Sequence, residues 1–473
     1  MRRTKIVCTI GPVTGSKEMM EKMIDASMNV ARLNTSHGDL EDHRKKIKLL
    51  KEVRKEKGVP LAILLDLAGP KIRTGYLNED YVELEEGQIF YLTTEEMVGN
   101  KEIVSVNCKE LAKDVKKGDR ILLSDGAIEL EVLETDGVKI KTIVKNGGKI
   151  THRRGVNVPG VDLSIESLTE RDMKFVKLGI EEDVDYFAVS FVRKKEDVQK
   201  LKDILKEGNH DIPVIAKIET KQALQNLEEI AKVSDGLMVA RGDLGVEVPI
   251  EEVPIAQKRI IELANRLAKP VITATQILES MVNNPRPTRA EITDIANAIL
   301  DGTDALMLSD ETAVGKYPIA CIKVMDSVAR KTEESLEFYR HISLDWLRSF
   351  STVYDISDAI SHACWQLSED LGVKLIITST SSGSTARRVA RFRPKSLIVA
   401  TTPFEKTYHR LSLVWGVLPL IIDEVKTTDD LIEKSLKKVR ERKLAEEGDV
   451  AIMTAGIPPG KPGTTNMVKV QKV

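Results

Sequence analysis

The alternation of short apolar runs with helical patterns constrains the fold of this chain more than any other feature. Eight runs stand out, several of them rich in β-branched residues. They are Lys5–Ile10, Asn29–Asn34, Leu61–Leu67, Asp185–Val192, Pro213–Glu219, Gly236–Asp243, Pro270–Gln276 and Ala305–Glu311. The helical segments predicted among them are Lys17–Ala26, His43–Lys57, Ser167–Leu178, Lys194–Lys206, Lys221–Lys232, Ile255–Leu267 and Ala290–Leu300. Apolar strands alternating with helices are typical of a parallel sheet covered on both sides. Eight such units predict a closed (β/α)8 TIM barrel.

Two further segments depart from this pattern. Residues 72–158 contain short β-prone runs punctuated by glycines and no convincing helix, which predicts a small antiparallel β-barrel inserted as a lid over the barrel mouth. After about residue 340, strand-like and helical runs alternate again, which predicts a separate doubly wound α/β domain. We therefore expect the main barrel at residues 1–71 and 159–340, and the C-terminal domain at residues 345–473.

Composition excludes several classes of protein. The 473 residues are 42% apolar and 30% charged, as in a globular protein with a real core. The net charge of -2 gives no bulk electrostatic reason to expect nucleic acid or an anionic membrane as a partner. No apolar run is long enough to span a bilayer, and the N-terminus lacks the apolar segment of a signal peptide. The four cysteines are scattered without paired spacing, so we expect reduced thiols in a cytoplasmic protein.

Polar side chains collect where the predicted barrel strands end, which is where active sites of this fold form. They are Thr9, Arg32, Asn34, Asp66, Ser190, Lys217, Glu219, Arg241, Asp243, Thr275, Ser309 and Glu311. Lys217 and Glu219 are two apart on a strand and share a face, and we expect Arg241 and Asp243 to repeat that arrangement. Two carboxylates beside two cations suit a hard metal ion and a phosphorylated anion. For a single such motif the alternative is a pair of solvated loop charges. For the whole set the alternative is that polar residues merely mark where any strand stops, which explains one or two positions but not a set so rich in cations and carboxylates.

The predicted lid is flanked by positive charge at both hinges. Lys71 and Arg73 begin the insertion, and Arg153 and Arg154 lie on its return. This arrangement suits a second phosphorylated substrate, although solvated loop charges remain the alternative.

Arg32 suits a phosphoryl oxygen because its planar fork donates several charge-assisted hydrogen bonds. An ion pair with a structural carboxylate explains Arg32 equally well.

Seven segments of the chain together resemble the pyruvate kinase family. They are Leu33–Gly38, Gly69–Thr74, Lys217–Glu219, Met238–Gly245, Ala274–Met281, Pro285–Glu291 and Met307–Ala313. The match runs from Lys5 to the C-terminus in the family's order and with its domain layout. The resemblance implies Mg²⁺-dependent phosphoryl transfer from phosphoenolpyruvate to ADP, which gives pyruvate and ATP in the last step of glycolysis. It also implies an allosteric homotetramer.

The resemblance also implies roles for individual residues. Glu219 and Asp243 would hold Mg²⁺, and oxygen ligands suit that hard cation independently of any family. Lys217 would neutralise charge on the transferring phosphoryl group, and Arg32 would grip that group from the other side. Thr275 would belong to the protonation route of the enolate. Catalysis of this kind depends on positioning and electrostatic stabilisation, since the transition state spreads charge over the equatorial oxygens.

Further positions carry over to substrate and nucleotide binding. The backbone at Gly242 would approach the substrate carboxylate, where a side chain would obstruct. The residues implied for the nucleotide, ADP or ATP, and its phosphates are Asn34, Thr35, Ser36, His37, Arg73 and Arg154.

One departure from the family concerns potassium. Potassium-dependent members usually have Asp-Thr and then Gly-Pro-Glu here, where this chain has Asp66-Leu67 and then Gly69-Pro70-Lys71. The residues of the corresponding K⁺ position are Asn34, Ser36, Asp66 and Leu67. An ammonium at Lys71 would supply the charge that K⁺ otherwise brings, so we predict activity without K⁺. The alternative is that Lys71 points to solvent while K⁺ still binds.

A hydroxyl-rich segment of the C-terminal domain predicts an effector site. It consists of Thr378, Ser379, Thr380, Ser381, Ser382, Gly383, Ser384 and Thr385. Hydroxyls and N–H groups at a helix N-terminus bind anions, although ordinary N-capping is the alternative. The family often binds an allosteric sugar phosphate here. Thr427–Asp430 replaces the loop typical of members that respond to fructose 1,6-bisphosphate. We therefore expect a monophosphate effector, such as AMP or a sugar monophosphate, at least as much as fructose 1,6-bisphosphate. The segment Gly456–Asn466 would fold over it.

Two other functions compete with this hypothesis. Another barrel enzyme that handles an enolate on Mg²⁺, such as a pyruvate-releasing aldolase or lyase, would use similar carboxylates but would not need the lid or its basic hinges. A non-catalytic metabolite sensor would be expected to have lost Lys217, Glu219 or Asp243, and all three are present.

Overall fold

The computed structural model describes residues 1–342, 355–458 and 464–473. Its centre is a closed barrel of eight parallel strands, as the eight apolar runs predict. The strands are Lys5–Thr9, Val30–Asn34, Ala62–Leu67, Tyr186–Val189, Val214–Ile218, Gly236–Ala240, Val271–Ala274 and Ala305–Leu308. The eighth strand closes the barrel by pairing with the first, where Lys5 lies opposite Ala305.

Strand side chains alternate between two apolar layers. In the first strand, Val7 belongs to a cluster inside the barrel, whereas Ile6 and Cys8 belong to the cluster between strands and helices. Both faces of the strands are therefore buried, which explains why the runs are continuously apolar.

Helices surround the barrel. The α-helices of this region are Lys17–Asp25, Leu40–Lys57, Glu170–Glu181, Lys195–Glu207, Lys221–Gln225, Leu227–Val233, Arg241–Glu247, Val253–Arg266, Arg289–Leu300, Asp310–Ala313 and Pro318–Ile342, with 3-10 turns at Ile250–Glu252 and Glu279–Val282. The prediction of one helix over Lys221–Lys232 is wrong. Asn226 ends one helix and begins the next, in keeping with the preference of asparagine for turns. None of the helices among the described residues is long and apolar enough to cross a membrane.

The insertion forms its own β-rich domain over its own core, which includes the buried Phe90 and Leu130. Its strands are Tyr81–Leu84, Ile89–Thr93, Ile103–Ser105, Arg120–Leu123, Ile128–Thr135, Lys139–Asn146, Gly148–Thr151 and Val156–Asn157, arranged as one six-stranded and one two-stranded sheet. The expectations of an entirely antiparallel insertion and of no helix within it are incomplete. The second and third of these strands pair in parallel, and a single helical turn lies at Leu111–Asp114, too short to leave a periodic pattern in the sequence.

The C-terminal domain is a five-stranded sheet covered on both faces. Its strands are Leu375–Ser379, Leu397–Thr402, Val417–Ile421, Val450–Gly456 and Thr465–Lys472, and its helices are Ile356–Leu371, Ser384–Ala390, Glu405–Arg410 and Thr428–Glu441, with a 3-10 turn at Leu411–Leu413. Four strands are parallel, and the last is an antiparallel edge. Ile376 and Ile377 belong to separate apolar clusters, as expected when a strand buries alternate residues on opposite faces.

The C-terminal domain packs against the N-terminal end of the barrel, opposite the predicted mouth. Arg393 Nη1 lies 3.1 Å from Asp304 Oδ1, directly before the eighth strand, and Arg393 Nη2 donates to Asn265 Oδ1 at 2.7 Å. At the start of the first strand, Lys5 Nζ donates to the carbonyl of Val417 at 2.7 Å. These contacts of the C-terminal domain therefore lie at the end of the barrel opposite the predicted mouth.

Candidate active site

The C-terminal end of the fifth barrel strand carries the two residues predicted to share a face. Lys217 and Glu219 lie together, with 3.4 Å between Lys217 Nζ and Glu219 Oε2. Lys217 Nζ also donates to Ser190 Oγ at 2.7 Å and lies 3.5 Å from Asp66 Oδ1. Burial alone would lower the pKa of the Lys217 ammonium, but the carboxylates of Asp66 and Glu219 raise it above its usual value. The ammonium is therefore charged at neutral pH.

Arg32 enters the same cluster from the second strand. Arg32 Nε donates to Asp66 Oδ2 at 2.7 Å, and Arg32 Nη1 donates to Thr9 Oγ1 at 2.9 Å. Burial opposes the charged form of Asp66, yet Lys217 and Arg32 hold the pKa of Asp66 below its usual range. The expected ion pair of Arg32 with a buried carboxylate is confirmed, whereas its contact with a phosphoryl oxygen stays a prediction.

Glu219 is fully buried and only partly satisfied by the protein. The backbone N–H of Phe191 donates to Glu219 Oε1 at 2.6 Å, whereas Oε2 receives no hydrogen bond from the described residues. Burial raises the pKa of Glu219 to about 7, and Asp243 adds to the rise against the opposing effect of Lys217. A buried carboxylate oxygen without a hydrogen bond, with Lys217 beside it at 3.4 Å and a second carboxylate nearby, suits a further cation.

Arg241 and Asp243 do not repeat the arrangement of Lys217 and Glu219. The sixth strand ends at Ala240, and both residues lie in the first turn of the helix Arg241–Glu247. Residues two apart on a helix point in different directions. Arg241 turns away and binds Asp294 Oδ1 at 2.7 Å and the carbonyl of Thr275 at 2.8 Å. The expectation of a second strand pair is wrong, and Asp243 alone reaches the cluster around Glu219.

Thr275 lies directly after the seventh strand in a strained conformation. The φ angles of Thr275 and Gln276 are 66° and 54°, which is uncommon for residues with a β-carbon and is frequent at functional sites. The backbone N–H of Gly242 donates to Thr275 Oγ1 at 2.8 Å, and that hydroxyl donates to the carbonyl of Ala274 at 2.7 Å. A β-carbon at Gly242 would meet Thr275 Oγ1 at 3.5 Å, an ordinary contact, so packing within the protein does not itself require glycine there.

The nucleotide candidates from the second strand form a turn at the mouth. Asn34 Oδ1 accepts a hydrogen bond from the N–H of Ser36 at 3.1 Å, and Ser36 and His37 are exposed. Thr35 is fully buried, and its hydroxyl donates to the carbonyl of Asp66 at 3.0 Å. The Thr35 side chain therefore holds two strands together and is not available to a ligand.

The two basic hinges of the lid lie beside each other. Arg73 forms a β-bridge with Gly155, and Arg73 Nη1 donates to the carbonyl of Arg153 at 3.2 Å. Arg154 is exposed, and its guanidinium donates to Thr151 Oγ1. The positive charges predicted at the start and the end of the lid are thus brought to one place.

Lys71 reaches into the mouth. Lys71 Nζ lies 3.5 Å from Asp243 Oδ1, and its side chain is 33% exposed. Among the described residues its ion-pair partner is Asp243, and not the Asp66 carboxylate of the predicted K⁺ position. Leu67 of that position is buried, and its carbonyl accepts a hydrogen bond from Ser190 Oγ at 2.7 Å.

Comparison with known proteins decides the family. The model of the pyruvate kinase barrel domain matches residues 1–322, and the model of the pyruvate kinase alpha/beta domain matches residues 358–471. The chain belongs to the pyruvate kinase family. It is a phosphotransferase, and its relatives as a family use phosphoenolpyruvate and ADP and generally depend on Mg²⁺.

Three relatives illustrate how far the similarity extends. The chain is 62% identical to the pyruvate kinase of Thermotoga maritima, with 100% of both chains covered. It is 46% identical to the pyruvate kinase of Staphylococcus aureus strain MRSA252, over 100% of this chain and 81% of that protein. The crystal structure of a pyruvate kinase from Cryptosporidium parvum superimposes with a TM-score of 0.93 at 37% identity, over 100% of this chain and 96% of that one.

One contact of the candidate metal ligand Glu219 gives no signal in the sequence. Phe191 contributes its backbone N–H to Glu219 from a left-handed conformation with φ 53°. Every residue except proline has such a donor, so side-chain patterns do not find it. Ser190 hydrogen-bonds to both Lys217 and the carbonyl of Leu67, whereas the sequence predicts it only as a polar residue at a strand end.

The predicted effector segment divides into buried and open parts. Thr378, Ser379 and Thr385 are buried. Ser379 Oγ lies 2.9 Å from Thr401 Oγ1, and Thr385 Oγ1 lies 2.7 Å from Thr465 Oγ1. These hydroxyls serve the packing of the domain.

The open part of the segment precedes the helix Ser384–Ala390. Thr380 Oγ1 accepts a hydrogen bond from the N–H of Gly383 at 2.9 Å, which fixes the turn. Ser381, Ser382 and Ser384 remain on its accessible side. The segment expected to fold over an effector includes residues 459–463, which lie outside the described residues.

Proposed function

We propose that this pyruvate kinase transfers the phosphoryl group of phosphoenolpyruvate to ADP through the buried cluster of Arg32, Asp66, Lys217 and Glu219 at the barrel mouth, with Asp243 beside it. The observation that carries the proposal is the pair of cations, Arg32 and Lys217, held on the two oxygens of Asp66. Two fixed positive charges a few ångströms apart suit an anion whose charge is spread over several oxygens.

Lys217 and Arg32 would receive the phosphoryl group from two sides. Their hydrogen bonds to Ser190, Asp66 and Thr9 hold them in place before the substrate arrives. Preorganised charges need no reorganisation in the transition state, and this is where most of their effect on rate arises.

Glu219 and Asp243 are the residues that would hold Mg²⁺. Glu219 Oε2 fits this role because it is buried and accepts no hydrogen bond from the described residues. No cluster of three or more His, Cys, Asp or Glu that would hold a metal occurs among the described residues, and Mg²⁺ is commonly bound by one or two carboxylates together with the oxygens of its substrates. When bound, the cation would offset negative charge on the substrate oxygens.

Thr275 would serve the protonation of the enolate carbon. Its hydroxyl is fixed by the N–H of Gly242 and the carbonyl of Ala274, so its direction is defined by the backbone. The strained φ of Thr275 supports a functional reason for that placement.

Lys71 supports activity without K⁺. Its ammonium lies at the mouth beside Asp243 rather than free in solvent, so a fixed positive charge is present next to the phosphoryl site. Through its contact with Asp243, this charge would lie on the side of the cluster proposed to hold Mg²⁺.

Three further features are proposals that the family resemblance supports. The open turn Ser381–Ser384 would bind an anionic effector, either AMP or a sugar phosphate. The chain would act as a homotetramer, which light scattering on the purified protein tests. A cytoplasmic location agrees with the four unpaired, buried cysteines.

A coupled assay tests the central proposal. Pyruvate formation from phosphoenolpyruvate is followed with lactate dehydrogenase and NADH, with and without ADP. We expect pyruvate and ATP in equal amounts only when ADP is present. Release of pyruvate without ADP, or from a hydroxy-oxo acid, would favour the alternative of an aldolase or lyase.

A further inference from the structure

A cavity of about 740 Å³ lies between the barrel and the C-terminal domain, at the end of the barrel opposite the mouth. Its barrel wall includes Tyr186, Pro213, Asp235 and Pro270, which begin or directly precede the fourth to seventh strands. Its other wall includes residues of the helix Ser384–Ala390. The volume is in the range of sites that bind small metabolites.

The cavity has an excess of positive charge. Eight lysine and arginine side chains line it, against four aspartates. The aspartates are already engaged by part of this set: Asp235 pairs with Lys202 at 2.9 Å, Asp211 with Arg410 at 2.9 Å, and Asp355 and Asp358 with Arg388. Ion pairs within and between the two domains therefore account for only part of the positive charge.

Three of the cations have no carboxylate partner within the described part of the chain. They are Lys206 and Lys269 on the barrel side and Arg387 on the C-terminal domain. Lys269 Nζ donates to backbone carbonyls, including that of Ala231, and Arg387 Nη1 donates to the carbonyl of Ser382 at 3.2 Å. Burial and the nearby cations Lys202 and Arg387 lower the pKa of Lys269 to about 8, although Asp235 opposes them. Like charges thus crowd one partly enclosed space, where an anion would relieve their repulsion.

Hydroxyl groups add to this charge. Ser382 and Ser384 line the cavity next to Arg387. Arginine with serine hydroxyls suits a phosphate monoester, which offers three acceptor oxygens and up to two negative charges.

We propose that the cavity binds a small phosphorylated metabolite between the two domains, with Arg387 on one side and Lys206 on the other. The proposal extends the effector part of the proposed function, because Ser382 and Ser384 belong to the predicted effector segment. The cavity site differs from the effector site proposed above because it also requires the barrel cations Lys206 and Lys269. It does not depend on the phosphoryl-transfer chemistry at the mouth.

The position suggests how such a ligand would act. The fifth strand begins beside Pro213 in the cavity wall and ends at Ile218, next to Glu219, so it connects the cavity with the catalytic cluster over about 16 Å. A ligand that contacts both domains stabilises their contact by its binding free energy, and any change in phosphoenolpyruvate affinity must be reciprocal.

Calorimetric titration of the full chain with glucose 1-phosphate tests the proposal, in the absence of Mg²⁺, ADP and phosphoenolpyruvate. Glucose is the uncharged control. We expect one site for glucose 1-phosphate and none for glucose. Arg387→Gln and Lys206→Glu should each weaken binding by about tenfold or more. Lys200→Glu, on the same helix as Lys206 but outside the cavity, should bind like the unmodified chain.

The outcomes separate the alternatives. No binding to the unmodified chain up to about 10 mM overturns the proposal. Binding that Arg387→Gln weakens and Lys206→Glu leaves unchanged also overturns it, because the ligand would then contact the C-terminal domain alone. Phosphoryl transfer without sugar phosphate should be unchanged in all three variants. An unmodified chain that lacks transfer activity would instead contradict the proposed function, whatever its sugar-phosphate binding.

Discussion

Asp66 holds Arg32 through a hydrogen bond of 2.7 Å between Asp66 Oδ2 and Arg32 Nε, and both side chains are buried. The other oxygen of Asp66 lies 3.5 Å from Lys217 Nζ. One carboxylate therefore separates two cations that would otherwise repel each other without substrate. With one oxygen towards each cation, Asp66 offsets part of the cost of burying both positive charges at the barrel mouth.

Replacing Lys217 tests its assigned role. Lys217→Met removes a preorganised charge, so phosphoryl transfer should fall by about 10²–10³-fold or more. Protonation of supplied enolpyruvate, which we assign to the region of Thr275, should survive better. Both half-reactions are measured separately, and Lys221→Met at the exposed start of the next helix is the control. Equal loss of the two half-reactions would contradict the separate roles.

Replacing Asp66 tests the balance of charge. Asp66→Asn leaves the buried Arg32 without its carboxylate partner and removes one of the two carboxylates beside Lys217. Removal of one partner from a buried ion pair commonly costs about 3–5 kcal/mol. We expect a decrease of about 3 kcal/mol in the free energy of unfolding, measured with urea, because asparagine can still accept one hydrogen bond. Asp80→Asn, at an exposed position in the lid, should change stability little. A loss no larger than in that control would show that Asp66 is not required to hold the two cations.

The fold was largely predictable because each barrel strand is buried on both faces. Continuous burial leaves an unbroken apolar run, and the number of runs predicts the closure of the barrel. The ends of the strands were less predictable. The apolar run through Gly236 gives no sign that the strand stops at Ala240 and a helix starts at Arg241, since the break depends on contacts of Arg241 with Thr275 and Asp294.

The site was predictable where it depends on charged side chains and not where it depends on backbone groups. Lys217 and Glu219 follow from their spacing on a strand. The hydrogen bonds of the Phe191 N–H and of the Thr35 hydroxyl do not follow from the sequence. In both cases the partner belongs to a neighbouring strand end that is distant in sequence. For the same reason, the sequence does not reveal that Lys71 pairs with Asp243.

The potassium hypothesis predicts how activity responds to monovalent cations. With all such cations replaced by tetramethylammonium, the unmodified chain should remain active, and added K⁺ should change kcat by less than about twofold, because Lys71 already supplies a charge. Lys71→Glu restores the residue usual in potassium-dependent relatives, so its activity should fall by about 10²-fold and recover with K⁺. Lys71→Met controls for loss of charge alone and should not recover with K⁺. Near-zero activity of the unmodified chain that K⁺ restores would refute the hypothesis.

His409 should make the stability of the protein depend on pH. Burial, together with Arg54 and Lys51, lowers the pKa of His409 to about 3, and its Nδ1 is buried without a hydrogen-bond partner among the described residues. The unfolded chain binds this proton near pH 6.5 and the folded chain does not, so stability is complete above pH 6.5 and falls between pH 6.5 and 3 by up to about 1.4 kcal/mol per unit. In urea unfolding from pH 8 to 5, His409→Gln should lose less stability than the unmodified chain on acidification. The data at pH 8 serve as the reference for each protein, and parallel losses in both would exclude His409 as the source.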